Sequence, residues 1–292
     1  MVTFGLQHRV FGQIDAIGVD EIQHAKGHKY LTLVYQIDLG VTRLLWVGKE
    51  RTIESFQGFF TVIGEEIASK IVFVCSDMWE PYLKVIRERC SEALHILDRF
   101  HIVAKMNKAL DEVRAGESRR LTLAGLPPVL KKSRWLLLKR EENLKTEQRF
   151  RLRDLLRYNL KTVRAYLLKE SFQQLWNYTS TTWAAKFLDE WCRQTMRSRI
   201  EPMKKIARSL RQHRELILNY FLAQKLLSSG VVEGLNNKAK VTMRKSYGSA
   251  RSGSSNLPCI THLASCQSRN PPTISSDEPQ KVPTESVSYR TR

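Results

Sequence analysis

The pattern of apolar and polar positions in the first hundred residues predicts an α/β fold. Short segments rich in β-branched and aromatic residues are separated by turn residues such as Gly40, which is typical of strands. Residues 52–68 instead place apolar side chains at every third or fourth position, which predicts a helix with Thr52 as its N-cap. A second helix is predicted from about Pro81. The five predicted strands comprise residues 16–20, 29–40, 42–50, 71–77 and 94–98.

The rest of the chain changes character twice. From about His101 to Leu222 apolar residues recur with helical spacing, and a further helical segment ends near Gly248. Residues 249–292 contain ten serines and five of the nine prolines without apolar periodicity. Such a segment cannot bury enough apolar surface to offset its ordering entropy, so it predicts a disordered C-terminal tail.

Charge is distributed unevenly along the chain. The whole sequence carries a net charge of +19, of which residues 101–225 contribute +16, whereas the first hundred residues carry −2. Positive charge concentrated in one region predicts a surface for a polyanion, and nucleic acid is the expected partner. The alternative is a basic helical surface that is simply solvated.

Composition excludes several classes of protein. No window of 18 apolar residues occurs, so we expect no transmembrane helix and no membrane partner. The N-terminus lacks a basic start followed by an apolar segment, so no signal peptide is predicted and a cytoplasmic location is expected. The five cysteines are scattered and form no C-x-x-C pair, which argues against a disulfide framework and a zinc knuckle.

Two aspartates are expected to meet at one edge of the sheet. Asp20 and Asp77 each end a predicted strand, and the strand after the first helix should lie parallel to the first strand through a right-handed crossover. Converging carboxylates repel each other unless a cation lies between them, and Mg²⁺ prefers oxygen ligands. Glu233 is the best candidate for a third carboxylate. Its predicted helix face also carries Asn236, Asn237 and Lys240.

The spacing alone leaves a plainer explanation open. An aspartate that follows a strand is more often a turn or helix cap than a metal ligand. From residue types and spacing alone, a metal site formed by Asp20, Asp77 and Glu233 is therefore a hypothesis.

Seven strings of the sequence resemble the DDE transposases of the ISL-three family of bacterial insertion sequences. The resemblance covers about residues 12–248 in unbroken order. It implies a ribonuclease-H-like mixed sheet core, interrupted by a large all-α insertion. The strings are AIGVDEIQHAKGHKYLTLVYQIDLG, RLLWVGKERT, CSDMWEPYLKVI, HILDRFHIVAKMNKALDEVR, RWLLLKREENL, RAYLLKESFQQLW and VVEGLNNKAKVTMRKSYG.

The same resemblance implies a chemistry and a set of partners. A member of this family is expected to use Mg²⁺ or Mn²⁺, as two ions, to cleave DNA at the element's terminal inverted repeats and to join it to target DNA. It is also expected to act as a homo-oligomer on DNA and to associate with the bacterial nucleoid.

Position by position, the resemblance assigns roles to particular residues. Asp20 in GVDE, Asp77 in SDMW and Glu233 in VEGLNN correspond to the three catalytic carboxylates of the family. Asp98 and His101 in DRFH correspond to a D-x-x-H pair near the active site. Asp98 also ends a strand and is an alternative second carboxylate. We prefer Asp77 because its strand should lie beside that of Asp20. The alternative for His101 is a buried, hydrogen-bonded core histidine.

The resemblance also predicts a domain organisation, from which this sequence departs in two places. Relatives begin with a zinc-binding segment and a helix-turn-helix region and continue with helical sequence after the position of Gly248. We therefore expect a truncated, frameshifted copy with impaired activity. The predicted segments are 12–106 for the first part of the core, 107–226 for the basic helical insertion, 227–248 for the final core helix and 249–292 for the tail.

Two other functions stay open at this point. The chain could be a nonenzymatic DNA-binding remnant that modulates an intact transposase, and metal-dependent cleavage would exclude this alternative. It could also be a different phosphoryl-transfer nuclease on the same fold, which joining of a 3′-OH end to target DNA would exclude.

Overall fold

The computed structural model describes residues 11–25, 27–223 and 230–247. Within these ranges five strands form one sheet and ten α-helices surround it or extend from it. The strands are β1 (Ala16–Ala25), β2 (Lys29–Asp38), β3 (Val41–Lys49), β4 (Phe73–Ser76) and β5 (Leu94–Leu97). The helices are α1 (Ile53–Ala68), α2 (Glu80–Arg89), α3 (Arg99–Leu123), α4 (Arg134–Leu138), α5 (Thr146–Leu156), α6 (Lys161–Gln173), α7 (Thr181–Arg197), α8 (Glu201–Gln212), α9 (Arg214–Leu222) and α10 (Gly230–Tyr247).

The sheet has the strand order β3-β2-β1-β4-β5. The first three strands form an antiparallel meander, β4 pairs in parallel with β1, and β5 pairs in parallel with β4. A meander followed by a parallel crossover is what the short early turns and the intervening helix predict. The structure thus confirms the α/β fold with a ribonuclease-H-like mixed sheet.

Alternation along β1 divides the core between two faces of the sheet. Ile17 and Val19 pack against α1 and α2 in one apolar cluster, which contains the buried rings of α1. Ala16 and Ile22 lie on the other face and pack in a cluster with Val232 of α10. Because successive strand residues point to opposite faces, neighbouring positions in β1 serve different layers.

Local signals at the start of α1 behave as predicted. The Thr52 side chain accepts a hydrogen bond from the Ser55 backbone N–H at 3.1 Å, which caps the helix. Phe56, Phe59, Phe60 and Ile63 are buried against the sheet.

The helices from α3 to α9 build a separate apolar cluster that also covers β5. α9 is tied to the sheet by a hydrogen bond of 2.7 Å from Asn219 Nδ2 to the backbone carbonyl of His95. The sequence predicts a boundary between the core and the helical insertion at residues 106 and 107. α3 runs through this position without a break. The predicted tail at 249–292 and the predicted frameshift after Gly248 lie outside the described residues. In the described ranges, no helix is both long and apolar enough to cross a membrane.

α10 returns to the sheet and lies on β1. A Cβ atom added to Gly18 would overlap Cγ2 of Val232, so only glycine permits this approach. Val232, Asn236 and Ala239 are buried along one stripe of α10. The stripe fixes which face of the helix meets the sheet.

The contact at Gly18 gives a stability prediction. Gly18→Ala should lower the free energy of unfolding by about 1–3 kcal/mol, because the added methyl group forces Val232 and α10 away from β1. Gly116→Ala is the matched control. Gly116 lies in α3 with open space around it, so alanine should raise stability by up to about 1 kcal/mol. Urea unfolding of both variants measures these changes. Equal changes in the free energy of unfolding would contradict the importance of the contact between Gly18 and Val232.

Candidate active site

Asp20 lies within β1, which continues to Ala25 and does not end at Asp20 as the sequence predicted. Asp77 and Asp98 directly follow the two parallel strands on one side of β1. Extending the register of the two ladders, by two positions for β1 and β4 and by one for β4 and β5, aligns Asp20 with Asp77 and Asp77 with Asp98. β4 and β5 end immediately before their aspartates. Three carboxylates therefore share the same edge of the sheet. The last ladder pairs before them are Gly18 with Cys75 and Ser76 with Leu97.

Asp20 is held in place by α10, the last helix of the described residues. Nδ2 of Asn236 in α10 donates a hydrogen bond to Oδ2 of Asp20. The Tyr35 hydroxyl in β2 donates to Oδ1 of the same asparagine at 2.8 Å. Burial, reinforced by the charge of Asp20, raises the pKa of Tyr35 well above its usual value, so the phenol stays a donor. The chain Tyr35–Asn236–Asp20 fixes one carboxylate oxygen.

His101 lies between two of the aspartates. Its Nε2 atom is 3.5 Å from Oδ1 of Asp20 and 3.7 Å from Oδ2 of Asp98. Asp98 also caps α3 by accepting a hydrogen bond of 2.7 Å from the Phe100 backbone N–H. His101 is one-third exposed and faces carboxylates, so it lies at the acidic edge and not in an apolar core.

The surroundings change the protonation of His101. Burial acts to lower the pKa of its imidazole, but the hydrogen bond and charge of Asp20, together with the charges of Asp98 and Asp77, raise that pKa to about 9. The imidazole therefore carries a positive charge at neutral pH. In the metal-free protein it offsets part of the repulsion between Asp20 and Asp98.

Asp77 is held by an arginine on the opposite flank. Oδ1 accepts the Trp79 backbone N–H at 2.9 Å, and Oδ2 accepts Nη2 of Arg51 at 2.8 Å. The other arm of the guanidinium, Nη1, lies 2.9 Å from Oε1 of Glu21. The guanidinium also stacks on the Trp79 ring, 4.3 Å from its centre. Arg51 thus joins two carboxylates that come from different strands.

Glu21 and Arg51 were not among the residues predicted from sequence. Glu21 follows Asp20 in β1 and shares the face of Ile17 and Val19, which are buried. Burial first, and then the charges of Asp77 and Asp20, raise the pKa of Glu21 to about 7 against the opposing effects of Arg51 and His101. The sequence did contain one indication of this role: Glu21 is a charged residue on the strand face that otherwise carries the buried apolar residues Ile17 and Val19.

The four site residues that the sequence predicts in α10 lie in different surroundings. The backbone of Glu233 lies between Val232, which meets Gly18, and Asn236, which meets Asp20. Its side chain is outside the described part of the structure. Asn237 and Lys240 lie on α10 with exposed side chains. The structure therefore brings Asn236 to Asp20 and leaves Asn237 and Lys240 facing solvent.

The residue types at this edge, but not their arrangement in the described structure, suit a hard divalent cation. Asp20, Asp77 and Asp98 offer only oxygen ligands, which Mg²⁺ and Mn²⁺ prefer. Among the side chains that the structure describes, no three His, Cys, Asp or Glu groups are arranged so that they could hold a metal ion. Arg51 and His101 contact the aspartates instead. A metal site with three such ligands would therefore need at least one side chain that the structure does not describe.

A mixed five-stranded sheet with one aspartate in its central strand, and one directly after each of the two parallel strands beside it, defines a protein of the ribonuclease-H-like class with an acidic site. Comparison with known families agrees: a family described as transposase, the ISL-three group of DDE transposases, matches residues 17–253. The chain therefore belongs to the ISL-three family of DDE transposases. This confirms the family predicted from the sequence strings.

Two curated relatives illustrate the similarity. The chain is 32% identical over 240 residues to the transposase for insertion sequence element IS1001 of Bordetella parapertussis, covering 82% of this chain and 58% of the relative. It is 30% identical over 263 residues to the transposase for IS1557 of Mycobacterium tuberculosis, covering 82% of this chain and 57% of the relative. The chain thus spans a little under three fifths of the length of these relatives.

The protonation of His101 predicts a pH dependence of stability in the metal-free protein. Its folded pKa of about 9 exceeds the ordinary value of 6.5, so the folded state binds the proton more tightly. The resulting stabilisation is fully present below pH 6.5 and is lost as the pH rises towards 9, with a slope of at most about 1.4 kcal/mol per pH unit.

Urea unfolding in the presence of a chelator, at intervals from pH 6 to pH 10, measures this contribution. His101→Gln removes the titrating group, so the difference in stability between wild type and variant should shrink between pH 6.5 and 9. A difference that stays constant over this range would show that the imidazole is not charged through its contacts with Asp20 and Asp98.

Proposed function

We propose that this chain forms the catalytic core of an insertion-sequence transposase. Its reaction would cut DNA at the terminal inverted repeats of the element and join the freed 3′ ends to target DNA. The observation that carries the proposal is the common level of Asp20, Asp77 and Asp98 at one sheet edge, in a chain of the DDE transposase family.

In this proposal Asp20, Asp77 and Glu233 hold two Mg²⁺ or Mn²⁺ ions. Such ions, when bound, activate the attacking oxygen and stabilise the leaving oxygen of a phosphodiester. The strand order supports Asp77 as the second ligand, because β4 and not β5 lies beside β1. Position 233 is supported by the packing of the preceding residue, Val232, on Gly18.

The other residues of the edge orient the ligands. Asn236 fixes Oδ2 of Asp20, and Arg51 with the Trp79 backbone N–H fixes both oxygens of Asp77. His101 holds a proton on Nε2 toward Asp20, and Asp98 keeps the imidazole at the edge. Positioned groups of this kind supply much of the rate of an enzymatic reaction.

The proposed partners are the element's repeat ends and target DNA, bound by a homo-oligomer in the bacterial cytoplasm and nucleoid. We assign residues 12–106 and 227–248 to the catalytic core and 107–226 to the helical insertion. Region 101–225 is proposed to contact the DNA backbone, since it contributes +16 to the net charge.

A second candidate function rests on that charge alone. A nonenzymatic DNA-binding protein that modulates an intact transposase would use the basic helices without the acidic edge. The two functions differ in one measurable property, because only the first requires the carboxylate of Asp77.

Asp77→Asn should abolish metal-dependent cleavage of repeat-end DNA, with a loss of at least about 100-fold, because a neutral amide is a much weaker ligand for Mg²⁺. DNA affinity should stay within about threefold of wild type, since the basic helices are unchanged. Asp154→Asn, at an exposed position of α5, is the matched control. Labelled oligonucleotides resolved on a gel measure cleavage. Full activity of the Asp77 variant would exclude the proposed site.

DNA affinity should fall steeply with salt, and residues 101–225 should cause most of that dependence. Replacing exposed Arg119, Arg153 and Arg157 with Gln should reduce the log–log slope by up to about 0.9 for each phosphate that the variant no longer binds. Replacing exposed Lys70, Lys84 and Arg87 with Gln should leave the slope unchanged. Fluorescence anisotropy between about 50 and 200 mM salt measures the slope. Equal slopes for both triple variants would contradict the assignment.

A further inference from the structure

A cavity of about 670 Å³ lies beside the first turns of α3. Arg99, Val103 and Asn107 line it from one stripe of the helix, whereas His101 lies on the opposite side. The volume is within the range of about 300–1,000 Å³ that is usual for small-molecule sites. The acidic edge and the cavity thus lie on two sides of the same first turn of α3.

The walls of the cavity offer flat apolar surfaces beside positive charge. Phe100 and Trp176 contribute rings, and the guanidinium of Arg99 lies 5.3 Å from the centre of the Phe100 ring. The Trp176 ring packs against Tyr220 at 89° and stacks on Phe221, so neighbouring rings fix its orientation. A planar ligand could stack here with little rearrangement of the protein.

Asn107 in this wall has a side-chain oxygen that no described residue hydrogen-bonds. Oδ1 of Asn107 is buried and accepts no hydrogen bond from any residue that the structure describes. Lys169, in contrast, already donates to the Leu137 carbonyl at 2.8 Å and lies 2.9 Å from Glu170. A buried acceptor without a donor is costly, so a ligand that brings an N–H group would relieve that cost once the Asn107 amide turns its oxygen towards the cavity.

Four cationic side chains and three glutamates (Glu141, Glu142 and Glu170) line the cavity, and its guanidinium groups are available for a phosphate group. Arg99, Arg140 and Arg149 line it, and Arg140 and Arg149 are exposed. Planar guanidinium groups suit phosphate oxygens. Rings, an unfilled acceptor and guanidinium groups together match the base, the amino group and the phosphate of a nucleotide.

We propose that this cavity receives one unpaired nucleotide of the DNA strand bound at the acidic edge. The base stacks on Phe100 and Trp176, and its exocyclic amino group donates to Oδ1 of Asn107. Arg99 and Arg140 bind the adjoining phosphate. Since Asp98 and Arg99 are consecutive, a strand that crosses the start of α3 leads from the edge into the cavity. This inference rests on the proposed function, which supplies the DNA.

The probes are three duplexes that differ at one unpaired position. It carries adenine, its analogue purine without the amino group (nebularine), or no base. The protein should bind the adenine duplex about three to ten times more tightly than the nebularine duplex, through one additional hydrogen bond. The nebularine duplex should bind at least about ten times more tightly than the abasic one, through stacking.

Two variants connect each difference to one wall of the cavity. Asn107→Leu should abolish the preference for adenine over nebularine and leave the preference over the abasic site intact. Phe100→Leu should reduce that second preference at least about threefold. Asn143→Leu, an exposed asparagine outside the cavity, should change neither ratio. Thermal unfolding of each variant verifies that it is folded.

Anisotropy competition in a chelator measures these ratios without cleavage. Equal binding of the three duplexes by the wild-type protein would overturn the proposal, as would an adenine preference that survives in Asn107→Leu. The outcome is separable from the catalytic proposal. Loss of base discrimination with intact metal-dependent cleavage would reject only the cavity, whereas base discrimination with no cleavage in any metal would reject only the catalytic role.

Discussion

Repulsion among carboxylates is the constraint on which the rest of this structure depends. Parallel pairing brings Asp20 of β1 close to Asp77 and Asp98, which directly follow strands that are about 4.8 Å apart. Negative charges at such spacing are stable only with compensating cations or N–H donors. The protein supplies these from separate elements: Arg51 follows β3, His101 belongs to α3, and the remaining donors come from α10 and the turn after β4.

Placing one of these cations demands an unusual backbone. Glu50, directly before Arg51, has a φ of 67°, a region that side chains other than glycine rarely adopt. The Thr32 hydroxyl donates to the Glu50 carbonyl at 2.7 Å, and the Glu50 N–H donates to the Tyr30 carbonyl at 2.9 Å. These bonds hold the strained residue in place. Local strain here is the cost of aiming a guanidinium between two carboxylates.

The sequence was sufficient for features that depend on local pattern. Thr52 caps its helix because capping chemistry acts within a few residues. The strand of Asp77 lies beside that of Asp20 because a helical crossover returns the chain parallel to an earlier strand. The sequence did not show that Arg51 reaches both Glu21 and Asp77, since three chain segments must first fold to bring them together. Nor did it show which stripe of α10 faces β1, because only packing at Gly18 decides that.

The hydrogen bond between Asn236 and Asp20 joins residues 216 positions apart. Ribosomes add about 5–20 residues per second, so α10 is synthesised roughly 10–40 s after β1. During that interval the sheet and the basic helices can already form, but the acidic edge lacks the helix that bears Glu233. Under the proposed function, a nascent chain would therefore hold DNA before it is able to cut it. The order of synthesis therefore delays the acidic edge, which is assembled only when nearly the whole described chain has been made.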